Sequence, residues 1–161
     1  PLPVCTPCGG AMMASSGGTA SLGLSSATAL TDGTKRVYLS GDLSVPTAGY
    51  SIDLLYDPAY VKIKAAYTTL KTQGLEVYFS DDLKGHAKIG MLKSDGSKLI
   101  NSGSGSLLDL RLVGTNLTSV RLMTADSANQ YGKDMGVSIY QATVPSSLKT
   151  YTPTKSTTTL Y

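Results

Sequence analysis

The sequence predicts an all-β protein, a jelly-roll β-sandwich of about nine strands with flexible N- and C-terminal tails. Only 16% of the 161 residues are charged, whereas Ser, Thr, Gly (17) and Tyr (10) are abundant, a composition typical of strands and turns rather than helices. Apolar residues recur with a period of two through the middle of the chain. Turn-forming residues interrupt that period at short intervals, which favours strands packed in two sheets.

Composition divides the chain into three parts. Residues 1–18 mix Pro, Gly and Ser without periodicity and are expected to form a linker, and residues 146–161 are expected to form a Ser/Thr-rich tail. Residues 19–145 form the predicted sandwich domain. Cys5 and Cys8 make a C-x-x-C pair in the first tail, where Pro7 opposes the helix that a redox motif needs. We therefore expect a local disulfide or two incidental thiols there.

The first four predicted strands are 19–25, 36–43, 50–56 and 61–67. Turn residues separate them, namely TDG at 31–33, PTAG at 46–49 and the pair Asp57-Pro58, whose proline donates no backbone hydrogen bond. Successive side chains of a strand point to opposite faces. In the third strand, Ile52, Leu54 and Tyr56 are expected to face inward, and Ser51, Asp53 and Leu55 outward.

The other five predicted strands are 75–80, 87–92, 107–113, 119–123 and 136–140. Polar turns separate them, a Gly/Ser loop at 101–105 precedes the third of these five, and residues 67–73 are the one stretch that could form a short helix. In 75–80, Leu75, Val77 and Phe79 are expected to face inward, and Glu76, Tyr78 and Ser80 outward. In 107–113, Leu108, Leu110 and Leu112 are expected to face inward, and Leu107, Asp109 and Arg111 outward.

Charge and hydropathy exclude two classes of partner. The net charge of +3 comes from 14 basic residues that are scattered along the chain, whereas nucleic-acid-binding proteins concentrate Lys and Arg in one patch. No apolar run approaches the ~20 residues that span a bilayer. We therefore expect no nucleic-acid partner and no membrane insertion.

The sequence predicts no active site, no cofactor and no metal centre. The single histidine, His86, follows a glycine in a polar turn, where a solvated side chain is the common outcome. Neither a G-x-S-x-G elbow nor a phosphate-binding loop is present. Asp81 and Asp82 could contribute to a calcium site, although no acidic loop motif completes one. The protein is therefore not expected to be an enzyme.

Several segments resemble one known family, the cohesin modules. The run AGYSIDLLYDP at 48–58, followed by VKI at 61–63, looks like the third-strand signature of these modules, and its most specific element is Tyr56-Asp57-Pro58. The run LEVYFSDDLKG at 75–85 is similar to the cohesin strand that ends in an acidic pair and a glycine. Residues 107–113 and 136–139 resemble later strands, so that the resemblance extends over about 19–142.

The resemblance implies a nine-stranded jelly roll and a non-catalytic role. Cohesins are extracellular, secreted or surface-attached modules of cellulosomal scaffoldins and related proteins. These assemblies serve polysaccharide degradation. Their partner is a dockerin-bearing protein that binds calcium on its own side, and we expect this chain to be a monomer by itself. Docking on one sheet face implies as partner-binding residues Ser51, Asp53, Leu55, Glu76, Tyr78, Ser80, Leu107, Asp109 and Arg111.

Other interpretations remain open from the sequence. Many cohesins have Asn and Asp early on the third strand, where this chain has Gly49 and Ser51, so the partner class can differ. The nine residues could equally form an ordinary solvated sheet surface. A carbohydrate-binding module would need exposed aromatic rings, for which the candidates are Tyr38, Tyr60, Tyr67 and Tyr78. A self-associating surface or structural protein would use its sheet faces to bind further copies.

Overall fold

A computed structural model describes residues 17–150 of the chain, with side chains up to residue 148. Cys5 and Cys8, together with most of both predicted tails, lie outside these residues. The described part is almost entirely β. Its strands are β1 (Thr19–Leu24), β2 (Ala27–Ala29), β3 (Lys35–Leu43), β4 (Thr47–Leu55), β5 (Val61–Tyr67), β6 (Glu76–Asp81), β7 (His86–Leu92), β8 (Gly103–Gly114), β9 (Arg121–Asn129), β10 (Gly136–Gln141) and β11 (Leu148–Thr150).

The strands form two sheets, which confirms the predicted sandwich. Sheet I has seven strands, in which β3 pairs with β1 and β2 along one edge and with β8 along the other, and β5 pairs with β8. β10 and β11 run parallel to β1 and β2, respectively. Sheet II has four strands in the order β6-β7-β4-β9. Because β1 and β2 share one position, and β10 and β11 another, eleven strands fill nine positions in the two sheets. β11 lies in the segment 146–161 that was expected to be a tail, so the sheet extends beyond the predicted boundary at residue 145.

Ser25 explains why the strand beside β3 is divided into two pieces, β1 and β2. Its backbone N–H donates to the carbonyl of Tyr38, and its Oγ accepts from the N–H of Tyr38, both at 2.9 Å. A side-chain oxygen thus replaces a backbone carbonyl at this point of the ladder. The three-residue pieces β2 and β11 were not predicted because they are too short to show alternation.

Several details differ from the prediction, among them the start of β4 at Thr47, inside the predicted turn 46–49. The Gly/Ser segment expected to be a loop is part of β8, because Gly103 to Ser106 pair with Leu43 to Ser40 of β3 through backbone groups that any residue supplies. β9 runs over Arg121–Asn129 instead of 119–123. Residues 68–75 form bends and turns with no helix, and the one short 3-10 helix of the described residues is at Leu117–Ser119.

The core lies between the two sheets and follows the predicted alternation in most strands. In β4 and just beyond it, Ile52, Leu54 and Tyr56 are buried as expected, with exposures of 1%, 0% and 7%. The expectation for Phe79 is wrong, because this side chain is 41% exposed although the alternation placed it inward. β6 is an edge strand of sheet II, and of its inward residues only Val77 packs against the core.

A β-bulge in β8 reverses the expected position of Leu107. The pairing with β3 shifts between Leu39 and Ser40, which face Leu108 and Ser106, so that Leu107 is the extra residue. Leu107 and Leu108 are both buried, and Leu107 is 0% exposed, which corrects the expectation that it faces outward. The carbonyl of Leu107 accepts a 2.8 Å hydrogen bond from the hydroxyl of Tyr50 in sheet II, and burial raises the pKa of that hydroxyl above its ordinary value.

Substituting Tyr50 by Phe should destabilise the fold by about 1–3 kcal/mol, because the buried Leu107 carbonyl would lose its partner. Urea unfolding followed by far-UV circular dichroism measures this. Tyr131→Phe is the matched control, since Tyr131 is 78% exposed, and it should change stability by less than about 0.5 kcal/mol. Equal stabilities for the two variants would show that the contact between the sheets contributes nothing.

Candidate functional site

The structure separates the nine predicted site residues into two groups. Six of them lie on the outer face of sheet II, namely Ser51, Asp53 and Leu55 of β4 and Glu76, Tyr78 and Ser80 of β6. The other three belong to β8 in sheet I, where Leu107 is in the core and Asp109 and Arg111 lie on the outer face. A single flat face therefore does not contain all nine.

The outer face of sheet II also includes residues that sequence reasoning missed. β7 lies between β6 and β4, and β9 lies beyond β4, so that both contribute a row of side chains. The alternation of 87–92 marked that strand, but nothing in the sequence states which strands are neighbours. We call the following set the sheet II face: Glu76, Tyr78 and Ser80; His86, Lys88, Gly90 and Leu92; Gly49, Ser51, Asp53 and Leu55; Arg121, Met123, Thr124, Asp126 and Ala128.

Asp53 is the polar centre of the sheet II face. Its carboxylate accepts a 2.6 Å hydrogen bond from the Thr124 hydroxyl, lies 3.0 Å from Nε2 of His86 and lies 3.7 Å from Nζ of Lys88. These three residues come from the strands on both sides of β4. The hydrogen bond from Thr124 is the largest cause that holds the pKa of Asp53 below its ordinary value. The hydrogen bond with His86 and the positive charge of Lys88 lower this pKa further. The centre of the face therefore carries a carboxylate fixed in position by three neighbours.

Glu76 and Tyr78 form the edge of the same face. The Tyr78 hydroxyl donates to Oε1 of Glu76 at 3.0 Å, and the backbone N–H of Ser94 donates to the same oxygen at 2.8 Å. The Ser94 hydrogen bond lowers the pKa of Glu76, and the bond to Glu76 raises the pKa of Tyr78. Glu76 thus orients the ring of Tyr78, which remains 48% exposed.

Apolar side chains surround this polar centre. Leu92 and Met123 are 39% and 51% exposed, and Leu55 is partly exposed. Gly90 stands between Tyr78 and Ser51 with no side chain, at the base of a depression of about 440 Å³. At one end of the face, Gly49 and Leu92 border an apolar pocket of about 330 Å³. The face thus combines exposed aromatic and aliphatic side chains with hydrogen-bonding groups, as specific protein interfaces do.

The acidic pair has structural partners. Asp81 accepts from the Tyr56 hydroxyl and from the backbone N–H of Leu83, and Asp82 accepts from the N–H groups of Lys84 and His86. Within the described part of the chain, no group of three or more His, Cys, Asp or Glu side chains could hold a metal ion. No helix in that part is long and apolar enough to cross a membrane.

The four tyrosines considered for sugar binding do not form one platform. Tyr78 lies on the sheet II face, Tyr38 and Tyr67 lie on the outer face of sheet I, and Tyr60 lies in the turn before β5. Guanidinium groups cover one side of two rings, with Arg36 4.9 Å from the centroid of Tyr38 and Arg111 5.2 Å from that of Tyr67.

Comparison with known proteins identifies the fold. No protein-family profile and no curated protein sequence matches this chain. A type I cohesin–dockerin complex from Clostridium thermocellum matches with a TM-score of 0.63 at 12% identity, over 83% of this chain and 99% of the matched chain. A type II cohesin from Bacteroides cellulosolvens matches with 0.62 at 10% identity, over 83% and 100%.

A third similar structure comes from an archaeon. It is a non-cellulosomal cohesin from Archaeoglobus fulgidus, with a TM-score of 0.56 at 16% identity, over 77% of this chain and 86% of that one. Cohesins of both types therefore share the architecture described above. The chain has the jelly-roll fold of cohesin modules.

The Asp53 cluster should make the fold sensitive to acid. Because the folded-state pKa of Asp53 lies below the unfolded value of about 3.9, its stabilising contribution is present above that value and disappears as the pH falls through the folded pKa. Urea unfolding between about pH 6 and about pH 2 should show a smaller loss of stability for Asp53→Asn than for wild type, by on the order of 1 kcal/mol.

Thr124→Val should reproduce part of this effect, since it removes the largest cause of the lowered pKa. Some acid sensitivity will remain in both variants, because four other carboxylates also have a lowered pKa, namely Asp32, Glu76, Asp82 and Asp95. If folding stability depends on pH in the same way for wild type and Asp53→Asn, the Asp53 cluster does not cause the acid sensitivity.

Proposed function

We propose that this chain is a non-catalytic binding module of the cohesin type, which docks a dockerin-bearing protein through the sheet II face. The observation that carries the proposal is a continuous four-stranded face on which exposed apolar side chains surround a fixed polar centre. The fold supports it, because solved structures with the same architecture include cohesin–dockerin complexes. The residue pattern of 48–58 and 75–85 supports it independently.

The apolar residues of the face would supply most of the affinity. Tyr78, Leu55, Leu92 and Met123 come from all four strands of sheet II, so that a partner lying across the strands contacts each of them. Large apolar and aromatic side chains dominate binding energy at protein interfaces when the surrounding contacts exclude water from them. Gly90 lets the partner approach the backbone between Tyr78 and Ser51.

The polar residues would supply orientation. Asp53 already accepts hydrogen bonds from within the sheet, so it presents a negative charge whose position does not have to be fixed on binding. Lys88 on one side of β4, and Arg121 and Asp126 on the other, offer both signs of charge to a partner. An ordinary solvated face is the competing interpretation, and it predicts that no single side chain of the sheet matters.

The structure changes which predicted residues we propose for docking. Ser51, Asp53, Leu55, Glu76, Tyr78 and Ser80 remain, and residues of β7 and β9 are added. Asp109 and Arg111 are omitted because they lie on the other sheet, and Leu107 is omitted because it is buried. Gly49 and Ser51, where many cohesins carry Asn and Asp, lead us to expect a divergent partner.

The setting of the module follows from the same proposal. We propose an extracellular or surface-attached protein that is monomeric by itself and whose partner binds calcium on the partner's side. Sedimentation of the chain at high concentration tests the monomer. The self-associating alternative requires a larger species.

Charging the sheet II face should abolish docking. Calorimetric titration against a panel of dockerins in the presence of calcium should show tight one-to-one binding with at least one of them, and a chelator should remove it. Tyr78→Asp should weaken that binding at least about thirtyfold, because replacing a large aromatic contact by a charge costs about 2 kcal/mol or more.

Tyr67→Asp is the matched control. Tyr67 is 50% exposed, nearly the same as Tyr78 at 48%, but it lies on sheet I, and its substitution should leave the affinity unchanged. Equal affinities for wild type and Tyr78→Asp would refute the choice of face. The absence of binding across a broad panel would refute the proposed partner.

A further inference from the structure

The outer face of sheet I has a second surface feature that the proposed docking does not use. Two adjoining depressions of about 480 and 440 Å³ share Ser104, Gly105 and Ser106 as their floor. Each volume falls in the range of roughly 300–1,000 Å³ that is usual for small-ligand sites. Together they form one channel, the sheet I groove, which is lined by Tyr38, Thr69, Lys71, Ser104, Ser106 and Tyr140.

Tyr140 forms a flat platform at one end of the groove. A Cβ atom at Gly23 would lie only 2.6 Å from the Tyr140 ring, so the ring lies directly on the backbone of β1, where a side chain is missing. Its hydroxyl reaches to 3.5 Å from the carbonyl of Ser40 on β3. The side chain nevertheless remains 60% exposed. One face of the ring is thus covered by the sheet and the other is open to a ligand.

Tyr38 and the segment after β5 form the opposite wall. Arg36 covers one side of the Tyr38 ring, and Tyr38 borders the groove. Thr69 donates to the carbonyl of Ser106 at 2.6 Å, which fixes the segment against β8. The stem of Lys71 packs against the inner side of Gly105, where a Cβ atom would approach its Cδ to 2.7 Å, and this contact also anchors the segment to β8. The wall is therefore held in place before any ligand binds.

Charges of both signs surround the groove. Arg111 donates two hydrogen bonds to Asp109, at 2.8 and 3.0 Å, Lys71 and Asp42 add one charge of each sign, and Arg36 beside Tyr38 adds one cation. A ligand of either charge would therefore meet like charges as well as opposite ones here. A sugar is favoured over a protein partner, because hydroxyl-bearing side chains make up most of the groove lining and Leu70 is the one large aliphatic side chain in it.

We propose that the sheet I groove binds a segment of an uncharged, linear polysaccharide. Sugar rings would stack on the open face of Tyr140 and against Tyr38, because their C–H faces are apolar, and sugar hydroxyl groups would bond to Ser104, Ser106 and Thr69. Neighbouring strands are ~4.8 Å apart, so the distance from β10 to β8 is about 14 Å, enough for several sugar units. The groove and the sheet II face lie on opposite sides of the sandwich, and both ligands could bind together.

Affinity electrophoresis tests this proposal. The chain would be run in cathodic native gels that contain hydroxyethylcellulose, xyloglucan or mixed-linkage β-glucan, and at least one of them should retard the wild type. Tyr140→Ala and Tyr38→Ala should weaken the interaction about tenfold or more, whereas Tyr140→Phe, which keeps the ring, should retain it. Tyr78→Ala, on the other sheet, should migrate like wild type.

A blocking variant separates ligand contact from a folding effect. Ser104 is exposed on the groove floor and lies opposite Asp42 in the pairing of β3 with β8. The long side chain of Ser104→Arg should fill the groove without removing any packing contact. It should abolish retardation while thermal unfolding stays at the wild-type temperature. Retardation by none of the three polysaccharides, or equal retardation of wild type and Ser104→Arg, would overturn the proposal. Neither result bears on dockerin binding, which uses the other face.

Discussion

The hydrogen bond from the Tyr50 hydroxyl to the Leu107 carbonyl is the contact on which the arrangement of both sheets depends. The bulge in β8 turns Leu107 into the core together with Leu108, and this leaves a backbone carbonyl directed away from the sheet I ladder. A buried carbonyl without a partner is costly, and here its partner is the Tyr50 hydroxyl of sheet II. Tyr50 therefore satisfies the bulge and at the same time fixes the position of one sheet over the other.

The bulge also determines which side chains of β8 reach the surface. Ser104 and Ser106 lie before it and Asp109 and Arg111 after it, and all four are outside the core. Without the extra residue, one of these two sets would point inward, since a shift by one residue reverses the faces of a strand. The hydroxyl-lined floor of the sheet I groove and the ion pair beside it are therefore consequences of the same irregularity.

The two outer faces differ because their polar groups have different partners. On sheet II, Asp53 is fixed by neighbours on both adjacent strands, and apolar side chains around it are left exposed. On sheet I, the guanidinium groups are used in pairing with Asp109 and in covering tyrosine rings, and small hydroxyl side chains fill the space between. Missing side chains shape both surfaces, through Gly90 on sheet II and Gly23 on sheet I.

The sequence by itself determined the fold class, the approximate places of nine strands and the inward face of β4, because alternation and turn residues are local signals that the core then enforces. It also identified Ser51, Asp53, Leu55, Glu76, Tyr78 and Ser80 as outward-facing residues of one sheet. Only the tertiary structure decided that β8 belongs to the other sheet, that Leu107 is buried and that β7 and β9 complete the face. Strand order and bulges depend on backbone pairing between distant segments, and since every residue type offers the same backbone groups, the sequence carries no local record of them.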